Sequence, residues 1–244
     1  TEVANLSGSA RYLSGGNGTT AASIIAGGGT PPMSALTETF DGTSWSEVGA
    51  MGTARYNFGA VCGTTTAGVI ASGATFPPAA SADVCESWNG SSWSEVHNLN
   101  TARGRLSQGG TQTAAIAMAG TTSPYPETGH SNKTETYNGT SWTEVNVLNT
   151  ARSNAGAGSN SSTSMLLFGG STAPGNFQTV TESWDGTSWT EVADLATARD
   201  NNMGAGASNA SAISAGGSAP GSARISITEE WDDPAYTAKT VTVS

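Results

Sequence analysis

Few residues of this 244-residue chain are equipped for acid–base, nucleophilic or metal chemistry. There are two histidines, His97 and His130, and two cysteines, Cys62 and Cys85. No His-x-x-x-His, Cys-x-x-Cys or Gly-x-Ser-x-Gly arrangement occurs, and no pattern pairs a histidine with a nucleophile. Asp41, Asp185 and Asp232 recur at one point of a repeated string, which invites a calcium reading. Calcium wants six to eight oxygens with carboxylates among them, yet Asn89 and Asn138 replace the aspartate in equivalent copies. Asx-Gly turn formation explains these residues without a metal. Paired carboxylates for glycoside hydrolysis need only proximity in space and leave no motif. The expectation is a chain that is not an enzyme, with no cofactor and no metal.

What recurs is positional. Asp41-Gly42-Thr43-Ser44-Trp45-Ser46-Glu47-Val48 returns around Trp93, Trp142 and Trp189, and a degraded copy runs from Trp231 to Tyr236. The steps from Trp45 through these aromatics to Tyr236 are 48, 49, 47 and 47 residues. An arginine closes a small-residue turn at Arg11, Arg55, Arg103, Arg152 and Arg199. A glycine ends an apolar run at Gly28, Gly73, Gly120, Gly170 and Gly217. A glutamate precedes the first aromatic of each unit by two residues, at Glu38, Glu86, Glu135, Glu182 and Glu229. Each marker occurs five times, so there are five units.

Each unit must position these markers on strands. Ser164–Phe168 is short and nearly all apolar, as in a strand buried on both faces. Thr134–Tyr137 alternates with period two, and Trp142–Val145 follows. Asx-Gly between those last two strands is a hairpin signal, because such turns need positive φ. No segment keeps a 3.6-residue period, so helix should be nearly absent. Four strands repeated every 40–50 residues define propeller blades. The expected fold is all-β: a single five-bladed propeller filling residues 1–244, with blades near 4–48, 49–96, 97–145, 146–192 and 193–244. Thr1-Glu2-Val3 matches the end of a fourth strand, so it either belongs to a preceding unit or joins the closing blade. The start without methionine fits a fragment or a processed product.

A glycine-ended strand, an aromatic, a tryptophan and a turn ending in arginine together resemble the kelch motif over essentially the whole chain. Gly169-Gly170 and Gly216-Gly217 keep the kelch glycine pair, whereas Ser72-Gly73 and Ala119-Gly120 depart from it. The wording of strings such as Glu182–Val192 also resembles kelch-like arrays in tail-fibre and other virion proteins of marine bacteriophages. Some kelch-like propellers are copper oxidases, but their Tyr/His/Cys set has no match here.

Composition narrows the partners. A net charge of −10 argues against nucleic acid and anionic membrane surfaces. Apolar residues make up 36% of the chain and are too interrupted for a membrane span. No basic stretch leads into an apolar one as in a signal peptide. The two aromatic slots per unit hold all seven tryptophans with Phe40, Tyr137 and Tyr236, which serves packing between blades better than sugar stacking. The five arginines should pair with the five register glutamates, in the same blade or the next, since a guanidinium matches a carboxylate bidentately. Glu2, Glu47, Glu95, Glu144 and Glu191 should be solvated. Cys62 and Cys85 fall on the first and third strands of one unit, about 9–10 Å apart, too far for a bridge. They are expected to be free.

Function then belongs where copies differ. The segment between the glycine and the glutamate varies most and is longest at Thr121–Lys133. It joins the second and third strands on the face of the inter-blade turns. Candidate contact residues are Tyr125, His130 and Lys133, with Phe76, Phe177 and Arg224 in equivalent loops. Two expectations stand. One is a virion or extracellular recognition module that binds a host glycan or protein through these loops. The other is a structural or decoration module that contacts neighbouring virion subunits, with an oligomeric place in a larger assembly.

Overall fold

A computed structural model describes residues 4–8, 11–29, 33–76, 80–124, 127–221, 223–232 and 237–241. Every element among them is a strand. They form five four-stranded antiparallel sheets, one per sequence repeat. Blade 1 comprises Gly15–Gly18, Ser23–Ala26, Thr37–Phe40 and Trp45–Val48. Blade 2 comprises Cys62–Gly63, Gly68–Ala71, Cys85–Trp88 and Trp93–Val96. Blade 3 comprises Ser107–Thr111, Ala114–Met118, Thr134–Tyr137 and Trp142–Glu144. Blade 4 comprises Gly156–Ala157, Met165–Phe168, Thr181–Trp184 and Trp189–Val192. Blade 5 comprises Met203–Ser208, Ser211–Ala215, Thr228–Asp232 and Thr237–Val241. The chain is a five-bladed β-propeller.

Within each blade the strands run in sequence order from the channel outward. The third and fourth strands face each other in register, so their aromatics pair directly: Phe40 opposite Trp45, Trp88 opposite Trp93, Tyr137 opposite Trp142, Trp184 opposite Trp189. Ring centroids lie 5.0–5.3 Å apart, and the planes are tilted by 32–42°. The Asx-Gly turn between these strands is built as the sequence predicts. Gly42, Gly90, Gly139 and Gly186 have φ of 90–96°. The Asx side chain accepts the amides two and three residues on, as Asp185 does from Thr187 and Ser188 at 2.8 Å each. Those amides hold the Asp41 and Asp185 carboxyls below the usual range. Asp41 and Asp185 are turn formers, and the turn that follows Asp232 lies outside the described residues.

The second strands are buried on both faces in blades 2 and 4, because a blade sits on either side. Four apolar cores result, one between each consecutive pair of blades. Ile24 and Ala26 of blade 1 meet Ile70 and Trp88 of blade 2. Leu166 and Phe168 of blade 4 meet Ala212 and Trp231 of blade 5. The inner strands are rich in glycine because neighbouring backbones approach closely there. A Cβ on Gly15 would lie 2.4 Å from the Gly59 carbonyl oxygen, and one on Gly204 would lie 2.3 Å from that of Ala157.

Cys62 and Cys85 are free and buried, with the strand Gly68–Ala71 between theirs. Burial pushes both thiols up to about 12. The fourth-strand place of blade 5 is filled by Thr237–Val241. Thr1–Val3 and Tyr236 lie outside the described residues.

Candidate functional site

The five register arginines and glutamates form five ion pairs, each within one repeat unit. Arg11 meets Glu38 at 2.7 Å, Arg55 meets Glu86 at 2.7 Å, Arg103 meets Glu135 at 2.8 Å and Arg152 meets Glu182 at 2.5 Å; Arg199 meets Glu229 likewise. All ten side chains are buried, and backbone groups satisfy much of the remainder. Arg55 donates to the carbonyls of Ser72 and Val84, at 2.6 Å each. The second oxygen of each glutamate accepts an amide from the segment just ahead of its unit's arginine: Ser7, Gly52, Asn100, Asn149 and Ala196 at 2.6–2.8 Å. Desolvation lowers the pKa of Arg55, Arg103, Arg152 and Arg199, and the partner carboxylate opposes that. These pairs weld the inter-blade turn to the sheet. They are not a cation ring for a ligand.

Just past each arginine the chain turns over the mouth of the central channel. The residue two beyond it has a left-handed backbone in every unit: Leu13, Asn57, Arg105, Asn154 and Asn201, with φ of 49–56°. Their peptide groups join into a belt. The amide of Asn57 donates to Leu13, Arg105 to Asn57, Asn154 to Arg105 and Asn201 to Asn154, over 2.6–3.1 Å. Below the belt lies a polar, glycine-rich cavity of about 360 Å³, lined by Asn17, Gln108, Ser159, Asn160 and inner-strand glycines. Sequence reasoning missed the belt. Its signal is asparagine at three of five equivalent positions, the side chain that best tolerates positive φ after glycine. Arg105 and Leu13 carry no such signal.

The variable segments do lie on the face of the inter-blade turns. Four of them fold as two-stranded hairpins, not irregular loops: Ala74–Thr75 with Ala80–Ser81, Thr121–Pro124 with Glu127–His130, Ser171–Ala173 with Asn176–Phe177, and Ser218–Ala219 with Ala223–Arg224. Each is pinned to its own unit's turn by a bridge: Tyr56 with Ala74, Gly104 with Thr121, Ser153 with Ser171, Asp200 with Ser218. They stand as a crown around the channel mouth.

The candidate contact residues distribute unevenly over this crown. Phe76 is 43% exposed at a hairpin tip, and Arg224 is exposed on another. Phe177 is half-buried. His130 is half-buried, with Nδ1 3.2 Å from the Ser153 hydroxyl of the next unit. Lys133 is drawn away to the outer strand, where it pairs with Glu144 at 2.5 Å. Tyr125 lies outside the described residues. Tyr12, 50% exposed, and Leu13 also belong to this face. His97 is exposed on an inter-blade turn. Among the described residues no three His, Cys, Asp or Glu side chains converge as a metal site would require.

The fold and this site define a five-bladed β-propeller with a hairpin crown around the mouth of its channel. No protein-family model matches the chain, and no curated protein is significantly similar to it.

Proposed function

We propose that this propeller is a non-enzymatic recognition module, a virion or extracellular unit of the tail-fibre or adhesin type. It binds a host glycan or protein through its hairpin crown. The observation that carries the reading is the contrast between invariant blades and divergent hairpins. All five arginine–glutamate welds are kept, while the hairpins differ in length and carry Phe76, Phe177 and Arg224 on the same face as Tyr12. An exposed ring offers an apolar face on which a sugar stacks, and an exposed guanidinium on the same crown offers donors that hydrogen-bond its hydroxyls. Kelch-like and phage-like phrasing of the repeats supports the setting. Nucleic acid and membrane insertion have no place in it.

Decoration or assembly without host binding is the second reading. It is favoured by the exposed apolar residues Met203 and Ile213 on blade 5. Saturable binding of the labelled domain to whole bacterial cells and to arrayed glycans separates the two. Recognition through the crown predicts that Phe76→Ala with Arg224→Ala weakens binding at least tenfold while thermal unfolding stays the same. Binding that ignores both substitutions and a shortened Thr122–His130 hairpin removes the crown from the account.

A further inference from the structure

Asparagine precedes glycine three times, at Asn17-Gly18, Asn89-Gly90 and Asn138-Gly139. Such a pair can cyclise when the glycine nitrogen attacks the asparagine Cγ and the side-chain amide leaves as ammonia. The fold holds the three pairs in two different states. Asn17 lies on the first strand of blade 1. Its Nδ2 donates to the carbonyls of Val61 and Gly63 at 2.9 Å each, and the Gly18 amide donates to its Oδ1 at 2.7 Å. Leaving group and nucleophile are both tied down there. Asn89 and Asn138 instead open the exposed turns between third and fourth strands. The Asn89 Oδ1 accepts the amides of Ser91 and Ser92 at 3.0 and 2.9 Å, and the Asn138 Oδ1 accepts those of Thr140 and Ser141 at 2.9 Å each. The asparagine's own amide donates to the carbonyl of Ser92 or Ser141. Only the glycine amide of each turn makes no hydrogen bond among the described residues, and neither does the Nδ2 of Asn89 or Asn138.

We propose that Asn89 and Asn138 are sites of self-catalysed deamidation in the native fold, where the turn converts each asparagine to the aspartate that its sister units already hold as Asp41 and Asp185. Hydroxide takes the glycine amide proton, and the nitrogen attacks Cγ to close a five-membered ring. The carbonyl electron pair moves onto Oδ1, between two amides that already donate to it. In an enzyme one donor aimed at a developing oxyanion is worth on the order of a hundredfold in rate. An exposed turn is solvated, so each donor contributes less here. Collapse breaks the Cγ–Nδ2 bond, and the nitrogen takes a proton from water and leaves as ammonia. Water then adds to the same carbon, whose oxygen the two amides still hold, and the bond from Cγ to the glycine nitrogen breaks. One water enters and one ammonia leaves, with no change of oxidation state. Glycine suits the step because no Cβ shields its nitrogen and because φ is 96° at Gly90 and 90° at Gly139. The product also fits. The equivalent amides hold the Asp41 and Asp185 carboxyls below the usual range, so at neutral pH the turn favours the charged form. Conversion of both sites adds two negative charges to the net −10. These turns lie at the opposite end of the third strand from the crown, so the inference does not rest on the recognition reading.

The test is peptide mapping by mass spectrometry on the whole chain, aged at mildly alkaline pH in buffer and in urea. In buffer, Asn89 and Asn138 should deamidate at least tenfold faster than Asn17 and no slower than they do in urea, with aspartate as the main product. In urea the three pairs should react at similar rates. The same ranking in buffer and in urea overturns the proposal, because sequence and not the fold would then set the rates. Slower reaction of Asn89 and Asn138 in buffer than in urea also overturns it, since the turn would then hold Cγ away from the nitrogen. Isoaspartate as the main product at both sites does the same, because water would then add at the other carbonyl of the ring. A second arm uses Asn89→Asp with Asn138→Asp. This variant should unfold at a temperature no lower than the parent's, and a lower one would show that the turn rejects the product.

Discussion

Leu166 and Ile213 occupy the same place in the repeat, yet one is fully buried and the other is 42% exposed. Leu166 lies in a sealed interface between blades 4 and 5; Ile213 faces the seam between blades 5 and 1. The residue types are nearly interchangeable, so the difference lies in the neighbour. A blade cannot bury its own faces. Its second strand becomes core only when a second sheet arrives, as in any stacked repeat. Blade 5 also departs from its siblings on the open side. Met203 is 77% exposed, four residues past its arginine, where the other units hold Gly15, Gly59, Ser107 and Gly156. Glu230 is exposed where the others hold Thr39, Ser87, Thr136 and Ser183. The sealed faces are uniform and small, while the open one is larger and charged.

The largest effect expected from this contrast comes from the matched pair of truncations. Leu166→Ala should destabilise by about 2–5 kcal/mol, the cost of lost transfer energy plus a cavity in a packed core. Ile213→Ala should cost under about 1 kcal/mol, because a half-exposed side chain gives up little burial and leaves no cavity. Urea unfolding of both variants against the parent measures the difference. Equal losses would mean that the seam is as tightly packed as the sealed interfaces.

Next comes the dependence on alkali. Cys62 and Cys85 lie in the core between blades 2 and 3, and desolvation by burial is the main reason each stands near 12. A raised folded-state pKa favours the neutral thiol in the native state. The contribution is complete below the unfolded thiol value of about 9 and is lost as pH rises from there toward about 12. Each thiol should therefore subtract up to about 1.4 kcal/mol of stability per pH unit in that window. Cys62→Ala should flatten the slope of stability against pH between 9 and 11 by about that amount. An unchanged slope would show that this interface opens to water before global unfolding. By the same token, neither thiol should react with alkylating reagents at pH 8 in the native state.

The markers that repeat strictly were legible in the sequence because each does one local job. Arg152 and Glu182 meet as their register implies. Trp184 and Trp189 face each other because they flank an Asx-Gly turn in a period-two register. Cys62 and Cys85 stay apart because a strand lies between them. The crown was only half legible. The variable segments announced their own importance through length, but Thr121–Pro124 and Glu127–His130 pair as strands where no alternation of apolar residues marks them. The belt at the channel mouth hid at Arg105 and Leu13, whose side chains give no hint of positive φ. The seam was not legible, since Ile213 reads as a core residue wherever it stands. Only the lack of a covering sheet among the described residues makes it a surface.

The smallest effect distinguishes the sealed interfaces from one another. Trp93 and Trp189 each donate an indole hydrogen bond to a threonine across an interface, at Thr37 and Thr134. Trp142 makes the same approach across the interface between blades 2 and 3, but Cys85 fills the threonine place. The Trp142 Nε1 is buried without a hydrogen-bond partner, and sulfur is a weak acceptor in any case. Cys85→Thr restores the acceptor. It also keeps a donor toward the Asp83 carbonyl, which the thiol reaches at 3.4 Å, as Thr181 reaches Thr179 at 3.4 Å in blade 4. The substitution changes little volume, and four units already tolerate threonine there. Satisfying one buried donor is worth about 1 kcal/mol, so the variant should be more stable than the parent by roughly that amount. Its Trp142 indole proton should exchange at least as slowly as those of Trp93 and Trp189. A loss of stability would mean that the thiol's packing outweighs the missing bond, and that this interface is sealed by shape alone.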